Sequence, residues 1–143
     1  MQKRIIDFIQ ENKIATICCT DGNSIPQCFH CFYVYDETNN LLFFKSSSQT
    51  KHSGLLAENP FIAGSILPDK NEILSLKGIQ LTGKVLYNQF PENINPDAIY
   101  HKKMPFALAK PGHVWCIELT SIKMTDNTKI FGKKLRWEKY EHA

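Results

Sequence analysis

Residues 14–36 read IATICCTDGNSIPQCFHCFYVYD, and this stretch decides the fold. Its first seven positions are β-branched or small, the composition of a strand, and Asp21-Gly22-Asn23 closes them with a tight turn that tolerates positive φ. The return strand, 27–36, is apolar on both alternating faces: Cys28, Phe29, Cys31, Phe32, Tyr33, Val34 and Tyr35 leave no polar side. An antiparallel hairpin with one strand apolar on both faces needs a cover on each. In so short a chain the second cover can come from another copy, so the hairpin predicts a homodimer.

The same periodicity continues outward. Ile5, Ile6 and Ile9 recur at helical spacing and predict an opening helix over 2–11. After a turn at 36–40, residues 41–45 form a third strand, and 46–52 break all periodicity before a short helix at Leu55, Leu56 and Ala57. Pro60 cannot extend that helix, because its ring removes a donor and clashes with the preceding turn, so 61–67 begins a fourth strand. Residues 73–87 alternate as one long, bent strand in which Gly78 and Gly83 mark bulges or close approaches. Residues 90–112 hold four prolines and two helical fragments, 96–102 and 105–110, and read as an excursion before a sixth strand at 114–120. Strands at short intervals, with helices only between some of them, predict a mainly β, six-stranded antiparallel Greek-key barrel with a few short helices, one domain over 1–143.

Hydrophobic residues at 43% and charged residues at 22% match an ordinary globular protein. Asp7 interrupts the place where a leader's apolar stretch would lie, and no apolar run is long enough to span a bilayer, which predicts a cytoplasmic protein with no membrane partner. A net charge of +3 falls short of a nucleic-acid groove. The cluster Lys129, Lys133, Lys134, Arg136 and Lys139 suits a small phosphorylated ligand better than a duplex. Five cysteines in apolar strand sequence read as reduced thiols. Cys28 and Cys31 form a C-x-x-C, but residues three apart on a strand face opposite ways, so no metal site is expected.

Candidate chemistry concentrates after the third strand. Ser46, Ser48, Thr50 and Lys51 bring hydroxyls, an ammonium and the free amides of a helix start together, the makings of an anion site, with His52 beside them. The alternative is a polar loop whose Ser or Thr caps a helix. Gly78 and Gln80 share one strand face, where glycine admits close approach and the amide offers a donor and an acceptor to a heterocycle edge; a bulge glycine beside a surface glutamine is the other reading. His30 lies in the apolar second strand, either against a ligand or satisfied in an interface. The chain holds no Walker loop, no G-x-G-x-x-G and no H-E-x-x-H, and no Ser-His-Asp or paired-carboxylate spacing; no catalytic side chain is assigned, and a cofactor would carry the chemistry. In the tail, Phe131 and Trp137 either lie against an aromatic ring with Lys133 or Lys134 near an anion, or pin a C-terminal strand to the barrel.

Phe43-Phe44-Lys45-Ser46 with Thr50-Lys51-His52, Asn59-Pro60, then Gly78-Ile79-Gln80 and Gly83 resembles the FMN-binding split barrel of pyridoxamine 5'-phosphate oxidase-like proteins. The ending, residues 122–128 with Phe131-Gly132-Lys133-Lys134-Leu135 and Trp137, looks like that of a small bacterial subfamily of the group. The resemblance implies an FMN-dependent oxidoreductase acting on a small molecule, a homodimer with two FMN sites at its interface. It implies a phosphate near Ser46, Thr50 and Lys51, a ring edge near Gln80, and a flavin lined by the second strand around Cys28, Phe29 and His30. Where the oxidase places a basic FMN ligand, this chain has Gln27-Cys28-Phe29, and the oxidase's substrate-binding arginine and histidine near the C-terminus have no clear match, so the substrate stays open. Two other readings stand beside it: a flavin or haem carrier or sensor using His30, His52, His101 or His113 as an iron ligand, and a dimeric β-barrel interaction protein.

Overall fold

The computed structural model describes residues 1–127 and 133–140. Its elements are α1 (Lys3–Glu11), β1 (Ile14–Thr20), β2 (Pro26–Asp36), β3 (Leu41–Ser46), α2 (Lys51–Glu58), β4 (Phe61–Ile66), β5 (Lys77–Leu86), α3 (Pro96–Lys103), a 3-10 turn at Pro105–Ala109, β6 (His113–Asp126) and β7 (Lys133–Glu138). All pairings are antiparallel, in the order β3-β2-β1-β4-β5-β6-β7, and β3 also pairs with β6. That last pairing closes six strands into a barrel and leaves β7 as an added seventh, the expected split barrel with one more strand.

β6 makes this closure possible by changing partner halfway. Its first half, from His113 to Glu118, pairs with β3, and its second half, from Ser121 to Asp126, pairs with β7 on the same edge. The register against β5 slips there, so that Thr82 faces Ser121 while Gly83 faces Leu119. The extra residue re-phases the alternation: Ile117 and Leu119 point inward before it, and Ile122 and Met124 after it. The expected strand at 114–120 is therefore 14 residues long and continues through the bulge.

The barrel interior is packed with side chains such as Ile17, Leu42, Phe44, Leu81 and Leu119. α1 stops one end through Ile5, Phe8 and Ile9, an i, i+3, i+4 stripe, and the buried Tyr33 hydroxyl donates to Ile9 O at 2.7 Å. A second, smaller cluster lies outside the barrel, where Val34, Leu41 and Phe43 are covered by Tyr100, Met104 and Ala107. The second cover over this end of β2 thus comes from the chain's own 90–112 excursion. α3 forms because Asn95 Oδ1 accepts the Ala98 amide at 3.1 Å and Pro96 occupies the first turn, where its missing N–H costs nothing.

A further departure lies at the start of β5. The strand expected over 73–87 begins only at Lys77; Ile73 and Leu74 are almost fully exposed in a loop closed by a Ser75–Glu72 turn and by Asn71 Oδ1, which accepts the Lys77 amide at 2.9 Å. Two adjacent apolar residues did not signal alternation there. In the tail, β7 pairs with β6 and buries Leu135, while Trp137 packs half-buried against the core. Phe131 lies outside the described residues. Among those described, no helix is long and apolar enough to cross a membrane.

Candidate functional site

The break in periodicity after β3 becomes a tight loop that leads into α2. Thr50 caps the helix: its Oγ1 accepts the Ser53 amide at 3.2 Å and lies 3.0 Å from Ser47 O, to which Ser53 Oγ also donates at 2.7 Å. The hydroxyl of Thr50 is thus committed to the cap. His52, the second residue of α2, lies flat against Phe29 of β2, with ring centroids 3.8 Å apart and planes 10° from parallel, and its Nε2 is 2.6 Å from Ser46 Oγ. Burial pulls the His52 pKa below its ordinary 6.5, so the ring is neutral at pH 7.

These residues wall a cavity of about 260 Å3 whose lining includes Phe29, His30, Phe32, Lys45, Ser46, Ser47, His52 and Lys110. Lys45 reaches it from the end of β3. Its ammonium donates to Ala107 O at 2.7 Å and sits 3.0 Å from His101 Nε2, while His101 Nδ1 is 2.9 Å from Asp97 O. With Nδ1 donating to that carbonyl, Nε2 is the acceptor for Lys45, which leaves the lysine a third N–H. The cavity therefore joins a planar aromatic wall to a corner of hydroxyls and cations.

Gln80 lies elsewhere on the barrel, in a cavity of about 330 Å3 with Thr82, Ser121, Lys123, Arg136 and Glu138. The two cavities share one outward-facing row. His30 opposes Thr16, Thr16 opposes Ser65, Ser65 opposes Gln80, and Gln80 opposes Lys123, which opposes Arg136. Three strand spacings, about 14 Å along the sheet, separate His30 from Gln80.

The remaining sequence candidates scatter around this frame. Lys51 is exposed at the first position of α2 and does not line the first cavity. Ser48 is exposed and borders a third cavity of about 580 Å3, between α2, Leu86, Phe90, His113 and Trp115. Cys28 is exposed on the outer face of β2 opposite Cys18. A side chain at Gly78 would meet Leu67 Cδ2 at 2.7 Å, so a neighbouring side chain fills the close approach there. Trp137 lines a separate cavity with Met1, Gln2, Arg136 and Glu138. Lys133 opposes Asp126 in the β6–β7 register, and its side chain lies outside the described residues. The sequence reading did not place Lys45 and Lys110 among the binding residues. Lys45 carries a signal, since it continues an otherwise apolar strand; Lys110 sits among prolines and carries none.

No protein-family model matches the chain. Among solved structures it resembles a Clostridium acetobutylicum protein related to general stress protein 26, of the pyridoxinephosphate oxidase family, with a TM-score of 0.67 at 11% identity, covering 95% of this chain and 92% of that one. A heme binding protein from Mycobacterium smegmatis matches with a TM-score of 0.71 at 13% identity over 90% of this chain and 54% of that one. The Vibrio cholerae heme storage protein HutZ matches with a TM-score of 0.61 at 14% identity, over 82% and 87%. These likenesses are of fold. In sequence, a UPF0306 protein from Yersinia pseudotuberculosis is 33% identical over 134 residues, 94% of this chain and 90% of the relative. Another from Photorhabdus laumondii is 31% identical over 132 residues, 92% of each. With identity running almost end to end on a split-barrel frame, the chain belongs to the UPF0306 protein family.

Proposed function

We propose that this protein binds FMN between two copies of the chain and acts as a flavin-dependent oxidoreductase on a small molecule. The observation that carries the reading is the Phe29–His52 stack beside Ser46, Ser47, Lys45 and Lys110: a flat wall for a ring system, with donors and positive charge at one corner for a phosphate. Lys51, exposed at the start of α2, adds charge nearby. FMN would supply hydride or electron exchange, and the protein would bind, orient and exclude water.

Size argues for the second copy. About 260 Å3 is below the roughly 300–1,000 Å3 usual for a complete ligand site, so one chain's cavity holds part of the cofactor. Gln80, about 14 Å away along the same row, belongs to the other part. A two-fold partner would present its own Gln80, Lys123 and Arg136 to the first chain's His30 and Phe32, since an isologous interface pairs each patch with the other.

A second reading, a haem carrier or sensor, is favoured by the cavity of about 580 Å3, where His113 stands beside Phe90, Leu86, Val114 and Trp115 with no side-chain partner among the described residues. Both ring nitrogens of His101 and Nε2 of His52 are already engaged, and of His30 and His113 it is His113 that borders the larger cavity, which makes it the better iron ligand.

The test is the absorbance spectrum of purified protein mixed with FMN, and separately with haem, after gel filtration removes what is unbound. Retained flavin bands, lost in a Phe29→Ala, Ser46→Ala double variant, support the first reading. A Soret band that His113→Ala abolishes, with no retained flavin, replaces it with the second. Protein colourless under both treatments sinks both.

A further inference from the structure

Cys18 and Cys28 are cross-strand neighbours in β1 and β2, directly opposed in register, with their sulfur atoms 2.7 Å apart on the outer face of the barrel. Directly opposed antiparallel residues have Cα atoms about 4.5–5.5 Å apart, within the 4.4–6.8 Å that a disulfide spans. The hairpin turn holds them there: Asp21 Oδ1 accepts the Asn23 and Ile25 amides at 2.8 and 3.0 Å, and the Asp21 amide donates to Ile25 O at 3.1 Å. Cys28 is exposed, whereas Cys19 and Cys116 are buried on inward or covered positions and Cys31 points into the barrel wall.

We propose that Cys18 and Cys28 are a reversible dithiol–disulfide modification site that locks the β1–β2 hairpin, with a peroxide as the oxidant. The exposed Cys28 sulfur, as thiolate, attacks one peroxide oxygen; the O–O bond breaks, one water leaves after protonation, and Cys28 becomes a sulfenic acid. The Cys18 sulfur then attacks the Cys28 sulfur, its proton leaves with the displaced hydroxyl as a second water, and the S–S bond forms. In sum two thiols and one hydrogen peroxide give one disulfide and two waters, two electrons passing from sulfur to oxygen. The division of roles follows from position: Cys28 meets solvent, and Cys18 is the half-buried partner beneath it. Hydrogen bonding to Cys28, with burial second, pushes the Cys18 thiol up to about 11, so Cys18 keeps its proton until the sulfenic acid has formed. Burial pushes Cys31 and Cys116 up to about 12, which keeps those thiols inert. The inference stands independently of any flavin.

The test treats the full chain, reduced and then freed of reductant, with graded hydrogen peroxide. Thiols are counted in denaturant and the linkage is mapped by mass spectrometry of alkylated peptides. The expected result is a fall from five thiols to three, the mass of two hydrogens lost per chain, a peptide joining residues 18 and 28, and full recovery on adding dithiothreitol. Cys31→Ser retains the reaction, while Cys28→Ser, at an exposed position that does not endanger folding, abolishes the cross-link. Retention of all five thiols at a dose that oxidises free dithiothreitol overturns the proposal. So does a cross-link through Cys31, or one between chains.

Discussion

The His52 ring lies parallel on Phe29 while its Nε2 meets Ser46 Oγ at 2.6 Å, so one imidazole ties the first turn of α2 to two different strands. The aromatic contacts continue inward, Phe29 tilted against Phe44 at 5.5 Å and Phe44 parallel to Trp115 at 6.1 Å between centroids. The candidate site is thus backed by the barrel core rather than by a free loop, which is the condition for holding a planar ligand at fixed orientation.

That burial sets a pH dependence. Desolvation lowers the His52 pKa in the folded chain from 6.5, so below pH 6.5 the unfolded chain takes up the proton first. His52 therefore contributes its full share of stability above pH 6.5 and loses it as pH falls toward and through the folded-state value. Urea midpoints measured between pH 7.5 and 5 should decline in the native sequence and decline less in His52→Gln. Parallel declines in the two proteins would show that His52 is not the group responsible.

Arg4 of α1 forms an ion pair with Asp126, whose side chain is only 3% exposed at the end of β6. Taking the guanidinium away from a buried carboxylate is destabilising, and Arg4→Met is expected to cost about 1–3 kcal/mol. Replacing both, in Arg4→Met with Asp126→Leu, should recover part of that loss, because the buried carboxylate goes with its guanidinium. Denaturant midpoints of the two variants and the native chain check this, and a single variant as stable as the native chain would remove the ion pair from the account of how α1 seals the barrel.

β1, β2 and β3 were legible as β-branched and apolar runs bounded by turn residues, and the loop after β3 was legible from its run of hydroxyls. β6 was read short because the bulge at Thr120 reverses the phase of its inward residues, and a period-two reading ends where the phase reverses. The division of the site candidates into two cavities was not legible. Residues 30 and 80 are joined only through the register of four strands, which is a tertiary fact.

Two glycines of β5 make a paired test. A Cβ at Gly83, beside the bulge, would sit 2.6 Å from Ile117 Cγ2 and 2.8 Å from Glu118 O, and the backbone oxygen cannot move aside without parting β5 from β6. Gly83→Ala should therefore cost about 1–3 kcal/mol. At Gly78 the obstacle is the end of the exposed Leu67 side chain, which can rotate away, so Gly78→Ala should stay within about 0.5 kcal/mol of the native chain. Thermal unfolding of both variants decides whether backbone contact or mere proximity governs these positions.

Phe32 and Ile14 oppose each other at one end of β1 and β2, each 48% exposed, and Phe32 also lines the cavity of Phe29 and His52. This apolar end lies four residues from Cys18 and Cys28, about 13 Å along the strands. If the partner covers Phe32, then Phe32→Lys places a charge in the interface and should yield a folded monomer. Surface substitutions of this kind change stability by about 0.5 kcal/mol or less, so circular dichroism and the unfolding midpoint should barely move. Light scattering during gel filtration would read the mass, and FMN retention on the same sample would read the site. Loss of both together supports a cofactor held between copies. A native chain that elutes as a monomer would defeat the dimer outright, and a monomeric variant that still retains FMN would place the whole cofactor within one chain.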